Sequence, residues 1–366
     1  MHKNLTTLGL AAAGFVASTS LLNADVNDSQ MRNLENRVSA LEQKKGASGM
    51  VNPSGRPQVK DGADLFITAD WLIWQAKENG LGYVIKNDST STTNLADADI
   101  KNPAFDWDFG FRVGLGWNTP HDGWDLYANW TWFDTHASDH THAGSSKHLF
   151  PVYAHPFEVD NGVAQNSEAH WRLHLNMIDL ELGREFFVSK WVTLRPFVGL
   201  RNAWVRQKFD CEYEQISHSG SLQEAEVEMV NNYWGLGLRT GLNTQWGLGA
   251  GFSIYGNAAI SLLYGFFHLE QEQEQTIATV ESTFMDLEQS YHIDRAISEL
   301  ALGIRWDHMF SDDNYHFGIQ AGWEHLMFWG QNQMQRFVSF TTLGEYVANQ
   351  GDLTIQGWTV SARFDF

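Results

Sequence analysis

The sequence predicts an all-β fold: a transmembrane antiparallel up-and-down β-barrel of about ten strands (range eight to twelve), behind a short N-terminal α-helical, coiled-coil segment. Three observations predict it. The last ten residues alternate between apolar side chains (Trp358, Val360, Ala362, Phe364, Phe366) and small or polar ones (Gly357, Thr359, Ser361, Arg363, Asp365), as a strand does between lipid and water. The same period of two runs without error through Phe105, Trp107, Phe109, Phe111, Val113, Leu115 and Trp117. Such a run exceeds an ordinary strand of about 5–6 residues and suits a tilted membrane strand of about 9–11. Finally, short and long connections alternate along the chain.

Composition frames this expectation. The chain has 366 residues, 43% hydrophobic and 13% aromatic, and no mature stretch offers the ~18 uncharged apolar residues of a membrane helix. A mean hydropathy of -0.33 suits a barrel, because half of its strand residues face a polar interior. The formal charge of -20 repels anions, draws cations toward the mouths and disfavours nucleic acid. Cys211 is the only cysteine, so no disulfide forms within the chain; a structural bystander is expected, an intermolecular disulfide being the alternative.

Residues 1–24 read as a signal peptide: Lys3, an apolar run from Leu8 to Val16, and the cleavage site Leu22-Asn23-Ala24 before Asp25. The mature chain is therefore expected in the envelope of a Gram-negative-type bacterium. Residues 25–45 read as a periplasmic helix whose heptad seam, within 29–45, places Met31, Leu34, Val38 and Leu41 on one stripe. That stripe needs a partner, either the same helix on neighbouring subunits of a homo-oligomer such as a trimer, or the protein's own body. Residues 46–62, with four Gly and two Pro, read as a flexible linker, and 63–366 as the barrel.

Strands are expected at roughly 63–76, 104–118, 123–136, 166–188, 190–212, 226–246, 248–272, 288–309, 314–329 and 350–366. Short turns then fall near 119–122, 189–190, 247 and 311–313, and long loops near 77–103, 134–165, 213–225, 273–287 and 330–349, the arrangement of bacterial outer-membrane barrels with short turns periplasmic. The apolar phase slips between Met177 and Ile178, which a bulge would explain. Pro196 falls inside the fifth strand, where its missing N–H should interrupt the ladder. The first long loop, with Leu81, Tyr83, Val84 and Ile85, has room for an extra hairpin. All sixteen Trp follow the linker, and pairs such as Trp107 and Trp117 suit two interfacial girdles.

Parity selects the side chains expected to line a pore: Arg112, Arg172, Arg195, Arg201, Arg239, Arg305, Asp106, Asp108, Asp125, Glu181, Glu299 and Asp307, with Asp70, Asp179, Glu324 and Arg363 in the same phase. Inward charge is expected of any barrel; facing arginines and carboxylates would also sort small solutes by charge. His136, His140, His142, His148 and His155, near Asp134 and Asp139, match no metal-ligand spacing and read as solvated. Asp134, His136, His292 and Asp294 are the nearest approach to a rim hydrolase, without a nucleophile motif. No metal, cofactor or enzymatic activity is therefore expected.

The segments DLFITADWLIWQAKENGLGYVI (64–85) and WDFGFRVGLGWNTPHDGWDLYANWTWFDT (107–135) resemble the Legionella-type major outer membrane proteins, a porin-like family found also in chlamydia-like bacteria. LENRVSALEQ (34–43) is similar to the N-terminal segments of chlamydial members. The resemblance covers most of the mature chain and implies a pore-forming outer-membrane barrel without catalytic residues. Chlamydial members are cysteine-rich and cross-linked, from which this chain departs. The expected function is passive diffusion of small hydrophilic solutes or ions across an outer membrane, with outer-membrane lipid as the surrounding partner. The alternatives are an adhesin or structural barrel displaying long loops, and the rim hydrolase.

Overall fold

The computed structural model describes residues 52–89, 94–145, 147–156, 162–218, 221–277 and 279–366. The expected signal peptide (1–24), helical segment (25–45) and first part of the linker lie outside the described residues. Ten long strands form one antiparallel sheet: β1 Leu65–Glu78, β2 Asp108–Asn118, β3 Trp124–His142, β4 Asn166–Arg184, β5 Val192–His218, β6 Ser221–Gly249, β7 Phe252–Ile277, β8 Val280–Phe310, β9 Tyr315–Asn332 and β10 Gly351–Asp365. Sequence neighbours pair throughout, β10 also pairs with β1, and β5 with β6, so the succession of pairings returns to its start.

The short connections lie at one end, together with the start of β1 and the end of β10, where the Leu65 amide donates to the Phe366 carbonyl at 3.1 Å. Ser311, Asp312 and Asp313 all hold positive φ there, a conformation that small polar residues tolerate best. At the opposite end several strands rise far beyond their expected limits. Most of the described residues in 213–225 and 273–287, expected as loops, are strand: β5 and β6 stay paired to His218↔Ser221, and β7 and β8 to Ile277↔Val280. Glu224, Glu226 and Glu228 alternate with Ala225, Val227 and Met229, which is itself a strand pattern; the density of charge hid it.

The slip at Met177/Ile178 is not a bulge, because β4 pairs with β3 and β5 in unbroken register. Instead the two faces exchange character. Near the short turns the outer face of β4 carries Leu182, Leu180 and Ile178 while Glu181 and Asp179 point inward; above, Asn176, His174, Arg172 and His170 point outward and Met177, Leu175, Leu173 and Trp171 are buried inside. Other strands follow. On β1 the inner face passes from Thr68 and Asp70 to Leu72, Trp74 and Ala76, and on β5 from Arg195 and Arg201 to Ala203, Val205 and Phe209. Low on the sheet the outside is apolar and the inside charged, whereas high on the sheet the reverse holds.

Pro196 is accommodated because it falls between two ladders. It pairs with Leu242 of β6, but on its other side β4 pairing stops at Phe197↔Gly183 and the short strand Phe186–Ser189 takes over at Leu194. The expected extra hairpin exists: Val84–Asn87 pairs with Ala98–Lys101 and with His148–Pro151. It folds into the tall end, where Tyr213 Oη donates to the Tyr83 carbonyl at 2.7 Å and Tyr153 Oη to that of Gly80 at 2.5 Å. A second small hairpin pairs Gln335–Phe337 with Tyr346–Ala348.

The upper interior is a packed apolar core. Trp74 and Phe133 rings lie 5.6 Å apart, Phe105 and Trp171 5.5 Å, and Tyr153 and Phe209 5.4 Å, and burial of each large apolar side chain contributes ~1.5–3 kcal/mol. Glycines make room for crossing rings: a Cβ on Gly235 or its partner Gly265 would collide with the Tyr233 ring. Cys211 is wholly buried here, so it fills space and no second chain can reach it. Outside, Trp107 lies 5.8 Å from Trp323, and Trp323 5.6 Å from Trp358, an aromatic arc at the upper edge of the apolar belt, while Trp117 and Trp246 stand near the short turns.

Glu78, beyond the belt at the top of β1, is buried and neither carboxylate oxygen meets a hydrogen-bond partner. Burial pushes its pKa from 4.5 up to about 8, opposed only in part by the Gln207 and Trp171 side chains.

Three outcomes test this layout. Val113→Arg, on the lipid side, is expected to cost roughly 2–4 kcal/mol, whereas Arg172→Ser on the upper outer face should stay within about 0.5 kcal/mol, read by urea titration in detergent micelles. Cys211 should resist maleimide until the protein is unfolded, since burial pushes the thiol pKa well up; labelling of native protein would contradict its placement. Folded and unfolded chains both carry the Glu78 proton below the unfolded value, so there is no ionisation penalty there, and stability falls as pH rises toward 8. Glu78→Gln should therefore stabilise at about pH 9, on the order of 3 kcal/mol, and change little at about pH 4.

Candidate functional site

Below the apolar core the inner faces of all ten strands converge on one cavity of about 240 Å³. The reason is local. At this height the outer face is apolar, so the alternation sends every second residue inward, and many of those residues are Arg, Asp, Glu, Thr, Asn or Tyr. Six arginines (112, 195, 201, 239, 305 and 363) and six carboxylates (Asp70, Asp179, Glu181, Glu185, Glu299 and Glu324) line the space. Its formal charge is therefore balanced.

Most of these charges are paired, several across the interior. Arg112 on β2 meets Asp70 on β1 at 3.0 Å and Glu324 on β9 at 3.0 Å, while its Nε donates to Thr131 Oγ1 at 3.0 Å. Arg201 on β5 grips Asp179 through two bonds of 2.6 Å and reaches Glu299 on β8 at 2.5 Å. Arg239 shares Glu299 at 3.0 Å and bonds Glu181, which Arg195 also holds at 2.9 Å together with Asp125 at 2.5 Å. Nearest the short turns, Arg305 pairs with Asp307 and Arg363 with Asp365, each at 2.7 Å, and His316 bridges the two aspartates at 3.0 and 2.7 Å. Removing one member of such a buried set typically costs about 3–5 kcal/mol, because the remaining charge is stranded.

The linker closes over this end. The Gly55 amide donates to the Glu185 carbonyl, the Phe187 amide to that of Pro53, and the Lys60 amide to that of Asp313, each at 3.0 Å. Residues 52–62, expected to be flexible, thus run from one turn to another, and buried Arg56 donates to the Trp124 carbonyl at 3.1 Å beside the chamber.

Of the residues singled out by parity, Arg112, Arg195, Arg201, Arg239, Arg305, Glu181 and Glu299 border the cavity, and Asp125 and Asp307 stand behind it as arginine partners. Asp108 faces inward higher up and accepts from Thr135 Oγ1 at 2.5 Å. Two lie elsewhere. Asp106 is exposed before β2 begins, and Arg172 is on the outer face between His136 and Lys208; the exchange of faces along β4 is what misled parity there. Arg56 carried no periodic signal, since it lies outside the expected strands, whereas Glu185 follows Asp179 and Glu181 in phase within the expected strand 166–188, and Tyr127, Tyr255 and His316 likewise share the inward phase.

The rim candidates are not assembled. Asp134 pairs with His174 at 3.1 Å and His136 neighbours Arg172, both on β3. His292 on β8 stacks on Tyr264 with centroids 5.6 Å apart. Of the histidines expected in a solvated loop, His136, His140 and His142 are on β3, His148 opens the short strand His148–Pro151, and His155 is buried against Phe337 with its Nε2 2.9 Å from the Leu343 carbonyl. Among the described residues no three His, Cys, Asp or Glu side chains are grouped to hold a metal ion.

A family model described as Legionella pneumophila major outer membrane protein precursor matches residues 56–366. No curated protein matches the sequence. Among solved structures, the outer membrane protease OmpT from Escherichia coli is similar at 8% identity and a TM-score of 0.39, over 84% of this chain and 97% of that one. The translocator domain of the autotransporter NalP from Neisseria meningitidis is similar at 11% identity and a TM-score of 0.28, over 94% and 98%. A FadL homologue from Pseudomonas aeruginosa gives 7% and 0.24, over 82% and 89%. With nearly the whole chain covered by the family model, this protein belongs to the Legionella pneumophila major outer membrane protein family and resides in the outer membrane.

Proposed function

We propose that the protein is a narrow, gated barrel channel for small ions and hydrophilic solutes, with its tall end extracellular. The observation that carries this reading is the cavity lined by six arginines and six carboxylates at the depth of the lipid-facing belt. Facing charges of both signs impose a transverse field on a passing solute. Above it the Trp74–Phe133 layer excludes water, and a hydrophobic constriction of this kind conducts only when it wets or moves. Conduction is therefore expected to be intermittent rather than the steady flow of a wide porin. Exposed Glu224, Glu226, Glu270 and Glu272 on the tall hairpins concentrate cations at that mouth.

The second reading, a barrel that displays its extracellular end for adhesion, is favoured by the height of the β5–β8 hairpins and by the filled upper interior. Planar-bilayer recording separates the two. Wild-type protein should open in brief steps, and Trp74→Ala combined with Phe133→Ala should raise the open fraction. Silence of both forms across many preparations would overturn the channel in favour of display. Arg112→Ser should shift reversal potentials toward cations, and by leaving Asp70 and Glu324 facing each other it should also lower thermal stability.

A further inference from the structure

From Phe310↔Tyr315 up to Ile297↔Phe328 β8 pairs with β9, and from Trp306 upward it pairs with β7 as well. Above Ile297 it pairs only with β7. Among the described residues, the other edge of 280–296 meets no strand, leaving a row of backbone donors and acceptors open at the tall end. Natural proteins guard such edges with Lys, Pro or bulges. The stretch VESTFMDLEQSYHIDRA (280–296) contains neither Lys nor Pro, and its register shift lies near the tip, opposite Gln273/Glu274.

Both faces beside the edge remain accessible. Leu287 is 42% and Ile293 37% exposed on the inner side, where side-chain bonds from Gln335 to Gln289 at 2.5 Å and from Tyr291 to Gln333 at 2.8 Å brace the strand without pairing its backbone. The outer side presents Asp286, Glu288 and Asp294, all exposed. The stretch's one cation, Arg295, lies over the Phe267 ring with its guanidinium carbon 5.1 Å from the centroid.

We propose that the 280–296 edge is a docking site for an extended segment of a partner protein in which apolar and basic residues alternate. The incoming strand extends the sheet by main-chain hydrogen bonds, which supply affinity, while alternate side chains supply specificity. Its apolar residues continue the face of Leu287 and Ile293, and its basic residues stand beside Asp286, Glu288 and Asp294. A second copy of this chain is the poorer occupant, because edge-to-edge pairing would bring these carboxylates against their own kind.

The test uses the full-length protein in detergent micelles and two synthetic peptides, one alternating Val with Lys and the other Val with Glu. The Val/Lys peptide should bind saturably and slow hydrogen exchange at residues 281–293, and the Val/Glu peptide should not. Asp286→Lys combined with Glu288→Lys, both at exposed positions, should weaken the Val/Lys peptide about tenfold or more and admit the Val/Glu peptide, with an unchanged urea midpoint. Protection elsewhere, equal binding by the double variant, or protection that grows with protein concentration in the absence of peptide would each overturn the proposal, the last in favour of self-association.

Discussion

Each strand has to satisfy two different surroundings along its length, and the height at which one replaces the other organises the molecule. Against lipid, the outward side chain must be apolar, and the strict alternation of a strand then sends polar groups inward. Above the lipid the outward side chain meets water, and the same alternation is free to bury apolar groups. Met177 and Ile178 mark that height on β4, and Asp70 and Leu72 mark it on β1. A single uninterrupted ladder therefore carries a membrane protein's interior below and an apolar core like that of a water-soluble protein above.

The lower half solves the cost of inward charge by pairing. Arg112–Glu324 and Arg201–Glu299 join strands that are not neighbours, so the ion pairs fix the spacing of opposite walls as well as neutralising one another. Their charges would be expensive to bury singly, and the shared acceptors, Glu181 and Glu299, leave each arginine with more than one partner. The upper half is held by ring packing and by tyrosine hydroxyls that tie the folded-in hairpin to β3 and β5. The chamber lies between that core and the linker segment pinned across the turns, so it is bounded at both ends.

The height of the wall has its own consequence. Where the ring of pairings is complete, no backbone edge is exposed; where β8 outruns β9, one is. Unequal strand lengths thus concentrate unsatisfied backbone at one place on the tall end, and the acidic outer face beside it determines which charge can approach.

Much of this was legible from residues alone. Alternation through Phe105–Trp117 and Gly357–Phe366 determined the strands, their lipid-facing side and the inward phase of Arg112, Arg195, Arg201 and Arg239, because a strand's two faces follow directly from residue parity. Ten strands and the short connections at one end followed from the same count, but two of the five expected long loops did not, because β5 and β6 stay paired to His218↔Ser221 and β7 and β8 to Ile277↔Val280. Only the tertiary structure decided which inward charges meet, since Glu299 and Arg201 lie far apart in sequence and become partners only when the sheet curves round. It also decided that Arg172 points outward, that Cys211 and Glu78 are buried, and that Glu-rich stretches continue the strands. Parity assigns a side but not the medium on that side, and the medium changes partway up each strand at a height that depends on how the whole sheet sits in the membrane.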